Sequence, residues 1–171
     1  MKRKALLVAM LMITSISFLS FKFASQLGET YLSKTPSIEG TYKLMSRKLA
    51  DGTIQKPPMV VGIQTFTKDI RNFNVMWTDK NGKHFSFSVY STYKLTDKDY
   101  TETIHLGVMN DEISGKGISY LPEQTKTAPI KLEGNKLEFK FPFDPVSVTF
   151  ENGKMIATSE GMFTDYWEKI K

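Results

Sequence analysis

Two histidines, His84 and His105, are the only imidazoles in the 171-residue sequence, so acid–base or metal chemistry has to be sought there first. His84 stands beside a turn, where a solvated edge residue is expected. His105 lies in mid-strand opposite Ile104, Leu106 and Val108. It orients a polar ligand group if it faces inward, but the aliphatic side makes the better core face and places His105 outside. The odd spacing of Glu102 and His105 sends them to opposite faces of an unbroken strand, so they do not form an acid–base pair. The acids at Asp111-Glu112 and at Asp97-Lys98-Asp99 fall in turns, where Asp bonds to nearby backbone, and neither has the alternating oxygens of a calcium loop. No Gly-x-Ser-x-Gly elbow, phosphate loop or dinucleotide fingerprint occurs. The absence of cysteine removes disulfides, a thiol nucleophile, thiolate metal sites and a lipidated N-terminal cysteine. The residues therefore point to no catalytic set, no metal and no cofactor.

Aromatic side chains are the remaining signal, with 12 Phe, 7 Tyr and 2 Trp, many on shared strand faces. Phe66, Trp77, Phe87, Tyr93, Phe139 and Phe141 are the candidate ligand-binding residues. The same faces serve equally as plain core, because aromatics dominate core burial. An apolar pocket also needs a few polar anchors, which Arg47, Tyr90, His105 or Tyr120 could supply.

Strands must position these residues. From Gly40 to Trp167 about ten short alternating segments follow one another, separated by turns such as Asp51-Gly52, Asn81-Gly82, Gly134-Asn135 and Asn152-Gly153. Tyr42, Leu44 and Ser46 alternate with Lys43, Met45 and Arg47. Pro57-Pro58 interrupts before a segment from Val60 to Thr67. Phe73, Val75 and Trp77 share a face that continues after the Asp79–Lys83 turn in Phe85, Phe87, Val89, Ser91, Tyr93 and Leu95. That face is expected to point inward and to bury Trp77 with Phe87. Tyr100 to Met109 is the next strand, Ile113 to Leu121 a weaker one, and Pro122 to Thr127 reads as a loop. Further strand faces follow in Ile130–Leu132, Leu137–Phe143, Val146–Phe150, Met155–Ser159 and Met162–Ile170. No helical period holds over 11 residues after Ser37. The expected fold is all-β, a single antiparallel up-and-down barrel of about 8–10 strands over residues 38–171.

The N-terminal residues read as a separate device. Lys2, Arg3 and Lys4 precede an uncharged run from Ala5 to Phe21, the pattern of an export signal. Residues 1–24 are thus expected to be a signal peptide or a retained N-terminal anchor, and 25–37 a polar linker. The product is expected to be periplasmic or secreted, with membrane contact only through the N-terminal segment. Of the 23 basic residues, Lys2, Arg3, Lys4 and Lys22 precede Ser25. A chain starting there carries 19 bases against 18 acids, a net charge of +1 rather than +5, with no basic footprint for nucleic acid.

Gly40-Thr41-Tyr42-Lys43-Leu44, Ser46, Asp51-Gly52, the run of hairpins and the closing Tyr166-Trp167-Glu168 together resemble the bacterial lipocalin-like domain proteins of the calycin group. That resemblance covers Ile38 to Lys171. It implies a barrel with a central cavity for a small apolar molecule. Tyr42 stands where lipocalins proper carry Trp, Lys169 is the late basic residue near it, and Gly40 and Tyr42 take the role of closing one end. The leading expectation is an exported binding protein for a small apolar or amphipathic molecule. Its rivals are a barrel enzyme of isomerase, cyclase or hydrolase type, and a solid barrel that meets an envelope partner.

Overall fold

A computed structural model of the chain describes residues 37–170. The expected signal or anchor (1–24) and all but the last residue of the expected linker (25–37) lie outside the described residues. Those described contain twelve strands and no helix: β1 (Gly40–Leu49), β2 (Ile54–Gln55), β3 (Val60–Phe66), β4 (Ile70–Thr78), β5 (His84–Leu95), β6 (Asp99–Asp111), β7 (Gly117–Leu121), β8 (Gln124–Glu133), β9 (Lys136–Lys140), β10 (Val146–Glu151), β11 (Lys154–Ser159) and β12 (Phe163–Lys169). Ten of them run up and down in the order β1-β3-β4-β5-β6-β8-β9-β10-β11-β12, and β12 pairs back onto β1 to close an antiparallel barrel. β2 and β7 are the extras. β2 pairs with the far half of β1, beyond β3, and β7 with the far half of β6, beyond β8.

The two ends of the barrel differ in their connections. Turns of two or three residues follow β3, β5, β8 and β10, and Asn152-Gly153 takes the two successive positive φ values, 50° and 74°, of a tight hairpin. Connections at the other end, such as Asp79–Lys83, Glu112–Lys116 and Phe141–Pro145, are longer, apart from the three-residue Glu160–Met162 turn between β11 and β12.

Alternation makes the inner wall, and two bulges reset it. In β1, Leu44 pairs with Trp167 and Ser46 with Tyr166, which leaves Met45 as the extra residue. Tyr42 and Leu44 point inward before the bulge and Arg47 after it, so Arg47 is buried where strict alternation sends it outward with Lys43 and Met45. In β6, Ser91 pairs with Ile104 and Tyr90 with Leu106, which leaves His105 as the extra residue. Ile104 is buried, but Leu106 is 55 % exposed, so the expected face of Ile104, Leu106 and Val108 is broken.

The segment 124–127, expected as a loop, is instead the start of β8. Its polar residues give no apolar alternation, yet Thr125 and Thr127 join Thr103 and Thr101 across the ladder with hydroxyl contacts of 2.8 Å each. Only Pro122 and Glu123 separate β7 from β8. The strand expected to reach Phe143 ends at Lys140, and Phe141 and Phe143 sit in the connection to β10.

Candidate functional site

The short-turn end is filled by aromatic rings. Tyr42, Phe66, Tyr93, Tyr100, Phe139 and Phe150 pack in successive contacts, with ring centroids from 4.5 Å for Tyr100 and Phe139 to 6.2 Å for Tyr42 and Phe66. Ile38 lies beneath them, and its carbonyl accepts the Tyr42 hydroxyl proton at 3.1 Å. Lys169 pairs with Tyr42 in the ladder, and its side chain lies so close to Gly40 that an added Cβ would meet its Cε at 2.1 Å. Gly40 therefore leaves room for that lysine across the barrel's first strand. Burial pushes the Tyr93 and Tyr100 hydroxyls well above their ordinary titration range.

A belt of polar side chains crosses the interior above this packing. Arg71 on β4 donates from Nε to Gln64 Oε1 on β3 at 2.8 Å and from Nη1 to Glu102 Oε1 on β6 at 2.9 Å. Ser91, on the intervening β5, donates to the same Glu102 oxygen at 2.6 Å. Gln64 Nε2 reaches Met155 Sδ on β11 at 3.2 Å. Arg71 and Glu102 are at most 3 % exposed. Burial is the largest single influence and opposes the charge on Arg71, but Glu102, Tyr100 and Asp144 together outweigh it and hold the guanidinium pKa above its ordinary value.

Beyond the belt the barrel is hollow. A cavity of about 310 Å³ opens toward the longer connections, at the lower end of the range for small-molecule sites. Phe73, Val75, Trp77, Phe85, Phe87, Met109, Leu121, Phe141, Phe143, Met155, Phe163 and Trp167 form most of its wall. Two glycines shape that space. A Cβ on Gly62 would meet the Trp167 ring at 2.6 Å, and one on Gly107 would meet Leu121 at 2.8 Å, so both large side chains lie over bare backbone.

The cavity also holds charge. Arg47 makes a two-pronged pair with Asp165, Nε to Oδ1 at 2.6 Å and Nη2 to Oδ2 at 2.8 Å, and its guanidinium lies between the Trp77 and Phe163 rings at 4.3 and 4.0 Å from their centroids. Arg71 stacks on Phe141 at 3.8 Å. Asp144, in the Phe141–Pro145 connection, completes the charged lining. Burial pushes its carboxyl above the ordinary carboxylate value, and nearby Arg71 only partly offsets this.

Of the six candidate residues, Trp77, Phe87 and Phe141 line the cavity, whereas Phe66, Tyr93 and Phe139 belong to the filled end. Trp77 and Phe87 both point inward but are only half-buried, and Trp77 stacks on Phe85 at 4.0 Å rather than on Phe87. Among the proposed anchors only Arg47 is inside. Tyr90 and Tyr120 are exposed on the outer surface. His84 and His105 are outside as well. His105 Nε2 meets the Thr92 hydroxyl at 2.9 Å, and its Nδ1 lies 3.8 Å from Glu123. The sequence reading missed Arg71, Gln64, Glu102, Asp144 and Asp165. For Arg71 a signal was present, since it shares the odd-numbered face of Phe73, Val75 and Trp77.

No family model, curated protein or solved structure matches the chain.

Proposed function

We propose that the protein is an exported, lipocalin-like binding protein that holds a small amphipathic molecule in the open half of its barrel. The observation that carries this reading is the cavity itself, an aromatic-walled space of about 310 Å³ closed below by a polar belt and a packed ring cluster. The export reading is supported by the Lys2–Lys4 cluster and the uncharged run to Phe21. The lipocalin-like reading is supported by the up-and-down meander and by Lys169 lying across Gly40 on the first strand.

Native mass spectrometry of protein purified from its own host, together with displacement of an apolar dye, tests the binding reading. A co-purifying small molecule, or saturable dye uptake quenched from Trp77, is the expected result. An empty protein that takes up no apolar probe overturns it. Periplasmic or extracellular recovery of the chain from its host tests export, and retention of the chain in the cytoplasm overturns that part.

A second reading is an interaction surface, favoured by Tyr90, Leu106, Ile118 and Tyr120, which stand exposed on the outside of β5, β6 and β7. Crosslinking from Tyr120 in the host envelope tests it, and the absence of a specific adduct overturns it.

A further inference from the structure

We infer that the cavity selects an electrically neutral ligand whose polar end carries a hydrogen-bond acceptor beside a donor, in the manner of a primary amide. The inference rests on the reading of the barrel as a binder and names the head group that the same site recognises.

Hydrogen bonds left unmade point to it. Arg71 spends Nε on Gln64 and Nη1 on Glu102, and Arg47 spends Nε and Nη2 on Asp165. Among the described residues, Arg71 Nη2 and Arg47 Nη1 have no acceptor, although both side chains are only 3 % exposed and line the cavity. Both atoms face the open cavity rather than being sealed in the core, so a ligand oxygen placed there gains a charge-assisted hydrogen bond without displacing a protein partner. Asp144 is the complementary case. Its carboxyl lines the same cavity, accepts no hydrogen bond from the described residues and stays outside ion-pair distance of Arg71, whose charge it nevertheless feels. A donor and an acceptor that face one space without meeting leave a gap for a group that complements both.

The charges narrow the class further. Two guanidiniums, Arg47 and Arg71, are set against Asp165, Glu102 and Asp144, so the carboxyl groups already match or outnumber the cations. An anionic head finds no surplus positive charge and must lie near Asp144 and Asp165. An ammonium satisfies Asp144, but it gives the arginine donors nothing to bond and must sit against them. An uncharged carbonyl–NH head meets both requirements at no charge cost. The aromatic wall accepts the apolar remainder.

Titration of tryptophan fluorescence with octanamide, octanoate and octylamine, which share one alkyl chain, tests the selection. Octanamide is expected to bind at least roughly tenfold more tightly than either charged analogue, as follows from one hydrogen bond to a charged group. Asp144→Ala is expected to erase most of that margin. Octanoate or octylamine equalling the amide overturns the inference, as does an unchanged margin in a folded Asp144→Ala protein. Should that variant fail to fold, the ranking in the unaltered protein decides alone. Diphenylhexatriene, an apolar dye without a head group, separates the two levels. Dye uptake without amide preference removes this inference and leaves the binding reading standing, whereas no uptake of any probe removes both.

Discussion

The two halves of the barrel use the same strands for opposite purposes. Below the polar belt, Tyr42, Phe66, Tyr93, Tyr100, Phe139 and Phe150 fill the interior ring on ring, and the strands there are joined by two- and three-residue turns. Above it, rings of similar size line a space instead of filling it, and two buried arginines stand among them. Aromatic content alone therefore does not decide between core and pocket. The decision falls to what else faces the rings: further rings below, and above, besides ring pairs such as Trp77 with Phe85 and Phe73 with Trp167, a guanidinium, a glycine or open space.

The sharpest way to break this comparison is to remove one side of the belt. Glu102→Ala leaves Arg71 charged, buried and without its carboxylate, and is expected to cost about 3–5 kcal/mol in urea unfolding. A loss near zero means that the belt does not hold the two halves apart. Phe139→Ala, in the filled half, is expected to cost about 3–5 kcal/mol by opening a void between Tyr100 and Phe150. Gly62→Ala places a methyl 2.6 Å from Trp167 and is expected to cost about 1–3 kcal/mol, with a shift in the near-ultraviolet circular dichroism of that indole. Trp77→Ala, in the hollow half, is expected to cost only about 1–2 kcal/mol, because its ring is half-buried. If its loss equals that of Phe139→Ala, the hollow half is packed core after all.

The smallest effect is a pH dependence. Burial raises the Asp144 carboxyl above its ordinary value of 3.8, so the folded chain holds that proton to higher pH than the unfolded chain does. The contribution of Asp144 to stability therefore falls as pH rises from the ordinary carboxylate range through the raised folded value. Asp144→Asn should remove this slope. Urea midpoints of both proteins across that range check it, and parallel pH profiles count against burial of the carboxyl.

Much of the barrel was legible because apolar alternation and turn dipeptides report directly on strands: the Trp77 and Phe85 faces and the Asn152-Gly153 hairpin needed nothing else. Residues 124–127 were not legible. Their ladder is held by threonine hydroxyls facing outward, and these leave no apolar period in the sequence. The site was less legible than the fold. Arg71 and Glu102 sit in phase with apolar neighbours, but a charged residue is read as outward unless its partner is seen. That partner lies two strands away, across Ser91. Asp144 has no strand phase at all, since it stands in a connection. Phe66, Tyr93 and Phe139 could not be told from Trp77, Phe87 and Phe141, because depth along the barrel axis has no sequence period.

The extra residue at Met45 carries a consequence of its own. A chain lacking that one residue would pair without a bulge, and Arg47, then two positions after Leu44, would still face inward; with Met45 present, unbroken alternation would turn Arg47 to the solvent and strand Asp165 among apolar rings. The charge inside the mouth of the barrel is thus set by the register of the strand rather than by its composition. An insertion or deletion in the first strand that no bulge absorbs is the change by which a relative of this chain would gain or lose its polar interior in a single step, whereas substitutions could do so only one side chain at a time.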